Sequence, residues 1–445
     1  MALSCSLQFF DASLPGRGPR QRLYSYSMNP VPVALLAAVW AAPGLAGSAI
    51  PKEEYRVRRA ELRKAVTDGI VVLFGRTERE ADDEPAGFRQ EPNFYYLTGW
   101  EEPGAILLMA PPATETLFLP PHNPKRERYT GRKTSAEDAD AGAVTGFEHV
   151  LPVSGFEAQL TKLLESYSKV YTLTREADAS RLKPRELFDL QPALTRLRMK
   201  KSPREIAQIQ RAADITMEAH RAAWKRVAAG LFEYQIAATM TAAILERGCE
   251  RTAYSPVVGS GPNGTVLHYS KNSRRMEKGE LLLMDVGAEC SAYAADITRT
   301  VPVNGRFAAR QRQIYDLVLG AQKAIIAAIK PGITPGAENT APNSLYRIAY
   351  EYLNSHGKDR QGNPLGKYLT HGVSHHLGLR VHDPGSAREP LAAGMVVTAE
   401  PGLYVPEEGI SIRIEDMVLV TQNGARVLTA ALSKEAGEIE KAMAK

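Results

Sequence analysis

Acidic and imidazole side chains interrupt four apolar runs in the C-terminal half of this chain. Residues 281–287 are followed by 295–300, and the other stretches are 371–376, 398–402 and 412–416. Charged groups are costly to bury unless they are paired or bound to a metal. A fold that buries these runs therefore has to bring their charged groups together, and this requirement constrains the chain more than its composition does.

Five residues from these runs form a hard, oxygen-rich set of metal ligands. The set contains two aspartates, one histidine and two glutamates, namely Asp285, Asp296, His375, Glu400 and Glu415. One such residue alone is usually a turn or surface residue, but five together make a sensible ligand shell. Paired catalytic cations lie about 3.5–4 Å apart and need bridging or flanking carboxylates. We therefore predict one site that holds two divalent cations.

A first hairpin is predicted to bring the two aspartates together. It joins 281–287 to 293–303, with its turn near Cys290, and it places Asp285 directly opposite Asp296. Directly opposed residues have Cβ atoms about 4.5–5.5 Å apart, so two carboxylates there would repel each other unless a cation lay between them.

A second hairpin is predicted to bring Glu400 and Glu415 together. Side chains alternate between the two faces of a strand, so Arg413 points to the same side as Glu415. A guanidinium there is expected to orient the ligand through a bidentate contact.

Composition excludes several classes of partner. The chain has 445 residues, of which 44% are hydrophobic and 24% charged, and two globular domains are expected. The net charge of +5 is too small and too dispersed to indicate a nucleic-acid partner. The three cysteines, Cys5, Cys249 and Cys290, form no Cys-x-x-Cys pair, so we predict neither a disulfide framework nor a thiolate metal site.

Residues 1–50 differ from the rest of the chain and are predicted to be a leader. An apolar run at 33–42 is followed by the small residues 46–49, which is typical of a signal peptide with its cleavage site. Met1 and Met28 are both possible starts. We expect export to the periplasm or the outside, with a membrane anchor or a cytoplasmic protein as alternatives. After processing, no stable membrane insertion is expected.

Residues 51–195 are predicted to form an α/β domain. Helices are expected at 52–66 and 156–167. Strands are expected at 69–75, 93–99, 105–110, 116–119 and 169–173. The aromatic run at 93–99 is interpreted as core.

Residues 196–445 are predicted to form a second domain. Ser202, Pro203 and Glu205 make a capping box that opens a long amphipathic helix. His220 lies on that helix and is interpreted as a structural histidine. Further helices are predicted at 233–246, 311–328 and 343–354, in blocks with antiparallel hairpins, so the chain is expected to have an α+β fold.

Three familiar motifs are excluded. Residues 259–264 match G-x-G-x-x-G, but a strand at 265–269 is predicted next, where a dinucleotide site needs a helix. This turn is expected to present His268 to the metal site. Position 372 is Gly, so His371 and His375 do not form the zinc helix H-E-x-x-H, and no Gly-x-Ser-x-Gly nucleophile elbow occurs.

The ordered set of five ligands resembles the dinuclear site of the pita-bread metallopeptidases, which include methionine aminopeptidase, Xaa-Pro aminopeptidase and prolidase. The likeness is greatest to Xaa-Pro aminopeptidase (aminopeptidase P). It is carried by residues 93–103, 258–272, 281–305, 371–383 and 395–416. The resemblance implies a creatinase-like α/β N-terminal domain, then a pita-bread catalytic domain that binds two divalent ions, usually manganese.

The resemblance also implies roles for individual residues. His268, His371 and His382 match histidines that hold substrate and stabilise the transition state. Glu400 is the candidate for moving a proton to the leaving proline nitrogen while it also binds metal. Two further residues, Tyr404 and Arg413, match substrate-site residues. The segment after His382 is shorter than in many members, and Arg388 is the candidate for the arginine usually found there.

The implied activity is release of the N-terminal residue from peptides with proline in second position. A hydroxide shared by the two cations would attack the scissile carbonyl. One alternative is a prolidase, which cleaves only Xaa-Pro dipeptides. The other is a non-catalytic pita-bread module that binds peptides or proteins. The family likeness also suggests a homodimer or homotetramer.

Overall fold

The computed structural model describes residues 50–78, 87–175, 177–182, 186–336 and 342–444, and all of them belong to one compact unit. Except for Ile50, the leader predicted at 1–50 lies outside these residues. In the part of the chain that the structure describes, no helix is both long enough and apolar enough to cross a membrane.

The N-terminal part is a six-stranded sheet with helices around it. Its strand order is β4-β3-β2-β1-β5-β6, with β1–β2 and β2–β3 antiparallel and the other pairs parallel. The strands are β1 (Gly69–Phe74), β2 (Ile106–Ala110), β3 (Thr114–Leu119), β4 (His149–Pro152), β5 (Lys169–Thr172) and β6 (Leu187–Asp189). The helices are α1 (Lys52–Ala65), α2 (Pro92–Thr98), α3 (Pro124–Thr130), α4 (Ala141–Thr145), α5 (Phe156–Leu164) and α6 (Gln191–Met199).

The aromatic run predicted as a strand at 93–99 is instead helix α2, so that prediction is wrong. The Glu91 carboxylate accepts the Phe94 amide at 2.6 Å, and Pro92 occupies the first turn. Gly99 ends the helix with a φ of 64°. These capping interactions outweigh the β-propensity of the aromatic residues. The helix is buried throughout, so its interpretation as core is confirmed.

The capping box at the start of the second half is confirmed. Ser202 Oγ accepts the Glu205 amide at 3.1 Å, and the Glu205 carboxylate accepts the Ser202 amide at 3.0 Å. Helix α7 (Pro203–Arg226) follows, and α8 (Glu233–Glu246) packs against it.

Short antiparallel sheets and three further α-helices complete the described chain. The strands are β7 (Arg251–Thr252), β8 (Val257–Ser260), β9 (Leu281–Asp285), β10 (Ala288–Cys290), β11 (Tyr293–Ala294), β12 (Thr298–Pro302), β13 (Val396–Ala399), β14 (Gly402–Val405), β15 (Ile410–Arg413), β16 (Asp416–Val420) and β17 (Ala425–Val427). Helices α9 (Ala309–Ala328), α10 (Leu345–His356) and α11 (Ala436–Met443) join α7 and α8 around these sheets. The predicted α+β character is confirmed.

Two other predictions are corrected. Residues 265–269 do not form a strand, because Gly261–Thr265 is a 3-10 helix and a turn follows it. Cys249 and Cys290 form a disulfide with Cα atoms 4.5 Å apart, which links the end of α8 to β10. The sequence spacing gave no sign of this pair, because the two residues are brought together by the pairing of β10 with β7, the strand that follows Cys249.

Candidate metal centre

The first predicted hairpin forms, but its two aspartates are not directly opposed. Thr298 pairs with Asp285, and the same register continues through Glu289 and Ala294 to a turn at 291–292. In this register Asp296 lies opposite Gly287, so Asp285 and Asp296 are diagonal neighbours on one face. A Cβ at Gly287 would approach the Ala295 carbonyl oxygen to 1.8 Å, so this close pairing requires glycine.

Tyr254 joins the two aspartates. Its hydroxyl lies 2.5 Å from Oδ1 of Asp285 and 2.5 Å from Oδ1 of Asp296. Burial, followed by the two carboxylate charges, raises the pKa of Tyr254 well above its usual value. The phenol therefore stays protonated and donates its single proton to one of these two carboxylates at a time. It was missed in the sequence, because residues 253–256 carry no periodic pattern that would indicate where a tyrosine points.

The second hairpin places Glu400 opposite Glu415, as predicted. Ala399 pairs with Asp416, and Gly402 pairs with Arg413. The same register across the intervening residues aligns the two glutamates. Glu415 is almost fully buried there.

His375 lies between these two carboxylate pairs. One ligand atom from each of Asp296, His375 and Glu415 lies within 4.8 Å of the others. His375 Nε2 is also 3.3 Å from Glu400 Oε1. Its Nδ1 is 3.1 Å from the His376 carbonyl oxygen, which fixes the proton on Nδ1 and leaves Nε2 to bind a metal. The structure thus brings all five predicted ligands into one cluster, with Asp285 linked through Tyr254.

The charges of this cluster suit a divalent cation. Burial and the charge of Asp285 raise the pKa of Asp296 to about 6. Burial also raises the pKa values of Glu400 and Glu415. Burial opposes a charge on His375, but its hydrogen bond to Asp296 and the charge of Glu400 raise its pKa to about 9. Four clustered carboxylates thus face the imidazole of His375 and the guanidinium of Arg413, and the remaining negative charge is what bound cations would offset.

Arg413 supports the cluster in a different way from the one predicted. Its Nη2 donates to Oδ2 of Asp285 rather than to Glu415. Its Nε donates to Thr298 Oγ1 at 3.1 Å, and that hydroxyl donates to Glu415 Oε2 at 2.6 Å. The Arg413 guanidinium therefore reaches Glu415 only through Thr298. Its direct contact is with Asp285, the last residue of β9.

Tyr404 and His371 extend this network. Arg413 Nη1 donates to the Tyr404 hydroxyl at 2.7 Å, and that hydroxyl lies 2.9 Å from His371 Nε2. Because His371 Nδ1 is 2.7 Å from the Gly372 carbonyl oxygen, Nδ1 carries the proton and Nε2 accepts from Tyr404. Burial lowers the pKa of His371 to about 4, so the ring is neutral near pH 7.

His382 and His268 are exposed residues beside the cluster. The His382 ring packs edge-on against His375 with ring centroids 4.5 Å apart. Burial, and then the charges of His375 and His268, lower the pKa of His382. His268 is exposed on the turn after the 3-10 helix. Arg388, also exposed, has its amide bonded to Ser386 Oγ at 3.1 Å.

Asp383 anchors the loop that carries His382. Its fully buried carboxylate accepts Arg198 Nη2 at 2.5 Å and Lys201 Nζ at 3.1 Å. Arg198 in turn donates to Asn93 of α2 at 2.7 Å. This buried charge cluster ties the His382 loop to the N-terminal part of the chain.

Threonines two residues from the ligands were also missed. Thr398 Oγ1 donates to Glu400 Oε1 at 2.9 Å and accepts the His375 amide at 3.0 Å. Thr298 lies two residues after Asp296, and its hydroxyl donates to Glu415. Their two-residue offset along each strand is a signal that could have identified them. His220, by contrast, is fully buried on α7, and its Nε2 lies 3.1 Å from the carbonyl oxygen of Ile297, the residue after Asp296.

Comparison with known families matches this arrangement of two parts. Residues 207–422 match the model of metallopeptidase family M24, and residues 55–171 match that of the aminopeptidase P N-terminal domain. Xaa-Pro aminopeptidase of Haemophilus influenzae is 35% identical over 431 residues, covering 88% of this chain and 98% of that protein. The chain belongs to metallopeptidase family M24. The predicted order of an aminopeptidase P-type domain before a metallopeptidase domain is therefore confirmed, and the chain is a hydrolase.

Two further M24 relatives extend the likeness along almost the whole chain. Mouse Xaa-Pro aminopeptidase 3 is 34% identical, covering 89% of this chain and 87% of that protein. The structure of Escherichia coli aminopeptidase P with the inhibitor Pro-Leu matches with a TM-score of 0.79 at 34% identity. That match covers 89% of this chain and 99% of that one.

Proposed function

We propose that this M24 hydrolase is a dinuclear aminopeptidase that releases the N-terminal residue from peptides with proline in second position. The observation that carries the proposal is the convergence of Asp285, Asp296, His375, Glu400 and Glu415 in one cleft. The comparisons support the substrate class, because relatives that match along nearly their full length are named Xaa-Pro aminopeptidase.

The five ligands are proposed to hold two divalent ions, with manganese as the expected metal. Bound there, the ions would lower the pKa of a water molecule and supply a hydroxide nucleophile near neutral pH. Divalent metal chemistry is implied by the family, and the buried excess of carboxylates supports it.

The remaining site residues are proposed to handle the peptide. Glu400 is placed to carry a proton toward the leaving proline nitrogen, because its pKa is raised and its Oε1 is held by Thr398 at 2.9 Å. His268, His371 and His382 surround the open side of the cleft and are proposed to bind the substrate and to stabilise the oxyanion. Tyr404 is proposed to keep His371 in the tautomer described above.

The geometry of Arg413 favours an aminopeptidase over a prolidase. A prolidase must recognise the free carboxylate of a dipeptide, and Arg413 is the obvious cation for that purpose. Here the Arg413 side chain is 5% exposed and donates to Asp285, Thr298 and Tyr404. Its hydrogen-bonding capacity is committed to the site itself, so it does not close off the far end of the peptide.

The test is a comparison of kcat/KM for Ala-Pro, Ala-Pro-Ala and a longer Ala-Pro peptide in the presence of manganese. Comparable or higher values for the longer peptides are expected. Activity confined to Ala-Pro would instead identify a prolidase. Full activity after exhaustive chelation would contradict the metal mechanism. If the metal-loaded protein cleaves none of these peptides, a binding module is favoured.

The proposal also covers the leader and the assembly of the protein. The leader at 1–50 is proposed to direct export, with the domains at 51–195 and 196–445 in the mature protein, and a homodimer or homotetramer is proposed. Mass spectrometry of native protein should find an N-terminus near Ile50. An intact N-terminus upstream of Val33 would contradict export, and light scattering would test the assembly.

A further inference from the structure

Glu233 is a buried carboxylate that the proposed chemistry does not use. It opens helix α8 and its side chain is inaccessible to solvent. The guanidinium of the neighbouring Arg274 forms its ion pair with Glu280 instead, at 2.5 Å. In the described part of the chain, Glu233 is thus held by hydrogen bonds rather than by an ion pair.

The hydrogen bonds to Glu233 all come from one segment. Oε1 accepts the Ser260 amide at 2.7 Å and the Ser260 hydroxyl at 2.8 Å. Oε2 accepts the Tyr269 hydroxyl at 2.9 Å and the Arg274 amide at 2.8 Å. Asn263 Nδ2 lies 3.2 Å from both oxygens. One carboxylate therefore fixes the start, the middle and the end of residues 260–274, which we call the His268 loop.

The His268 loop is also packed against the metal site. Leu267 and Tyr269, the neighbours of His268, contact a small apolar cluster that includes Tyr404. Tyr404 in turn holds His371 through the 2.9 Å contact described above. The position of His268 beside the cleft is therefore set by Glu233 from one side and by Tyr404 from the other.

We propose that Glu233 is a positioning residue that holds His268 in place for the peptide substrate. The inference rests on the proposed function, because it assigns His268 a role in binding peptide. An ionised acceptor makes stronger hydrogen bonds than a neutral one, so the charge of Glu233 rigidifies the loop. Its loss moves His268 without touching the metal ligands.

The main test is Glu233→Gln, which keeps the side-chain shape but turns one acceptor oxygen into a donor. We expect kcat/KM for Ala-Pro-Ala to fall roughly 10- to 100-fold, the scale of a displacement of about 1 Å in an active site. Metal content should be unchanged. Glu280→Gln is the matched control, because it weakens the ion pair of the Arg274 guanidinium but removes no group that donates to Glu233, and it should retain activity close to that of the wild type.

A double-mutant cycle with His268→Ala separates positioning from a general structural role. If Glu233 acts through His268, Glu233→Gln should cause almost no further loss in the His268→Ala background. Losses that multiply would overturn the inference. If Glu233→Gln does not fold, Tyr269→Phe removes one donor while keeping the ring that packs near Tyr404, and the same cycle applies with a smaller loss.

Hydrogen–deuterium exchange gives a readout that does not depend on activity. Exchange in residues 261–273 should rise in Glu233→Gln but not in Glu280→Gln. Unchanged exchange would overturn the inference even if peptides are cleaved. Wild-type protein that does not cleave Ala-Pro-Ala would overturn the proposed function, and with it the role of His268, whatever the exchange data show.

Discussion

Replacing Asp296 with asparagine should stabilise the metal-free protein and destabilise the metal-loaded protein relative to the wild type. Asparagine has nearly the same shape, so the change removes charge rather than packing. Burial and the charge of Asp285 raise the pKa of Asp296 from 3.8 to about 6. A rise of that size corresponds to a cost of roughly 3 kcal/mol for holding the ionised carboxylate at neutral pH.

The pH dependence follows from the direction of that change. A carboxyl group whose pKa is raised on folding contributes its full stability below its unfolded pKa, and that contribution is lost as pH rises through the folded value. Metal-free wild-type protein should therefore lose stability between about pH 4 and pH 7 through Asp296. The advantage of Asp296→Asn should be largest above pH 7 and should disappear near pH 4.

Bound metal should reverse the order of stability of the two proteins. An ion present at 100 times its dissociation constant stabilises the folded state by about 2.7 kcal/mol, so two ions would give the wild type up to about 5 kcal/mol. Asp296→Asn should gain much less, and it should lose most peptidase activity while remaining folded. Urea unfolding with a chelator and with manganese measures both states. The reasoning fails if metal-free Asp296→Asn is the less stable protein above pH 7, or if manganese stabilises both proteins equally.

Three other perturbations test separate parts of the structure. Asp383→Ala should lower the free energy of unfolding by about 3–5 kcal/mol, because it leaves two buried cations unpaired; Glu61→Ala, in an exposed pair, is the control and should barely shift the melting temperature. His382→Ala should lower kcat roughly 10²–10⁴-fold with metal content unchanged, and parallel loss of metal would show that it is a ligand. Thiol titration of unfolded, unreduced protein should find Cys249 and Cys290 unreactive, and Cys249→Ser should cost about 2–4 kcal/mol.

The sequence predicted elements well where one signal dominated. The helical spacing of the apolar residues and the capping box defined α7, and an apolar run bounded by glycines defined β1. The run at 93–99 failed because two signals disagreed. Its aromatic residues favour a strand, but Glu91, Pro92 and Gly99 provide both ends of a helix, and end signals decide a segment of only seven residues.

The candidate metal ligands were predictable for a different reason. Carboxylate and imidazole groups are rare inside apolar runs, so each candidate stood out by its type alone. Their geometry was less accessible, because a hairpin register that differs by two residues keeps the same face. The sequence therefore placed Asp285 and Asp296 on one face but did not give their diagonal offset, which depends on the close approach of Gly287 to Ala295.

Residues that hold the site histidines could not be predicted in this way. Glu233, Asp383 and Thr398 are of types that usually occupy helix starts, turns and strand faces, and nothing in their immediate sequence separates them from such positions. They differ in their long-range partners, since Glu233 bonds the His268 loop, Asp383 anchors the His382 loop, and Thr398 accepts the His375 amide. A ligand is restricted in chemical type, whereas an anchor needs only one oxygen at the right place. Sequence reasoning therefore finds the metal centre before it finds the residues that orient the groups around it.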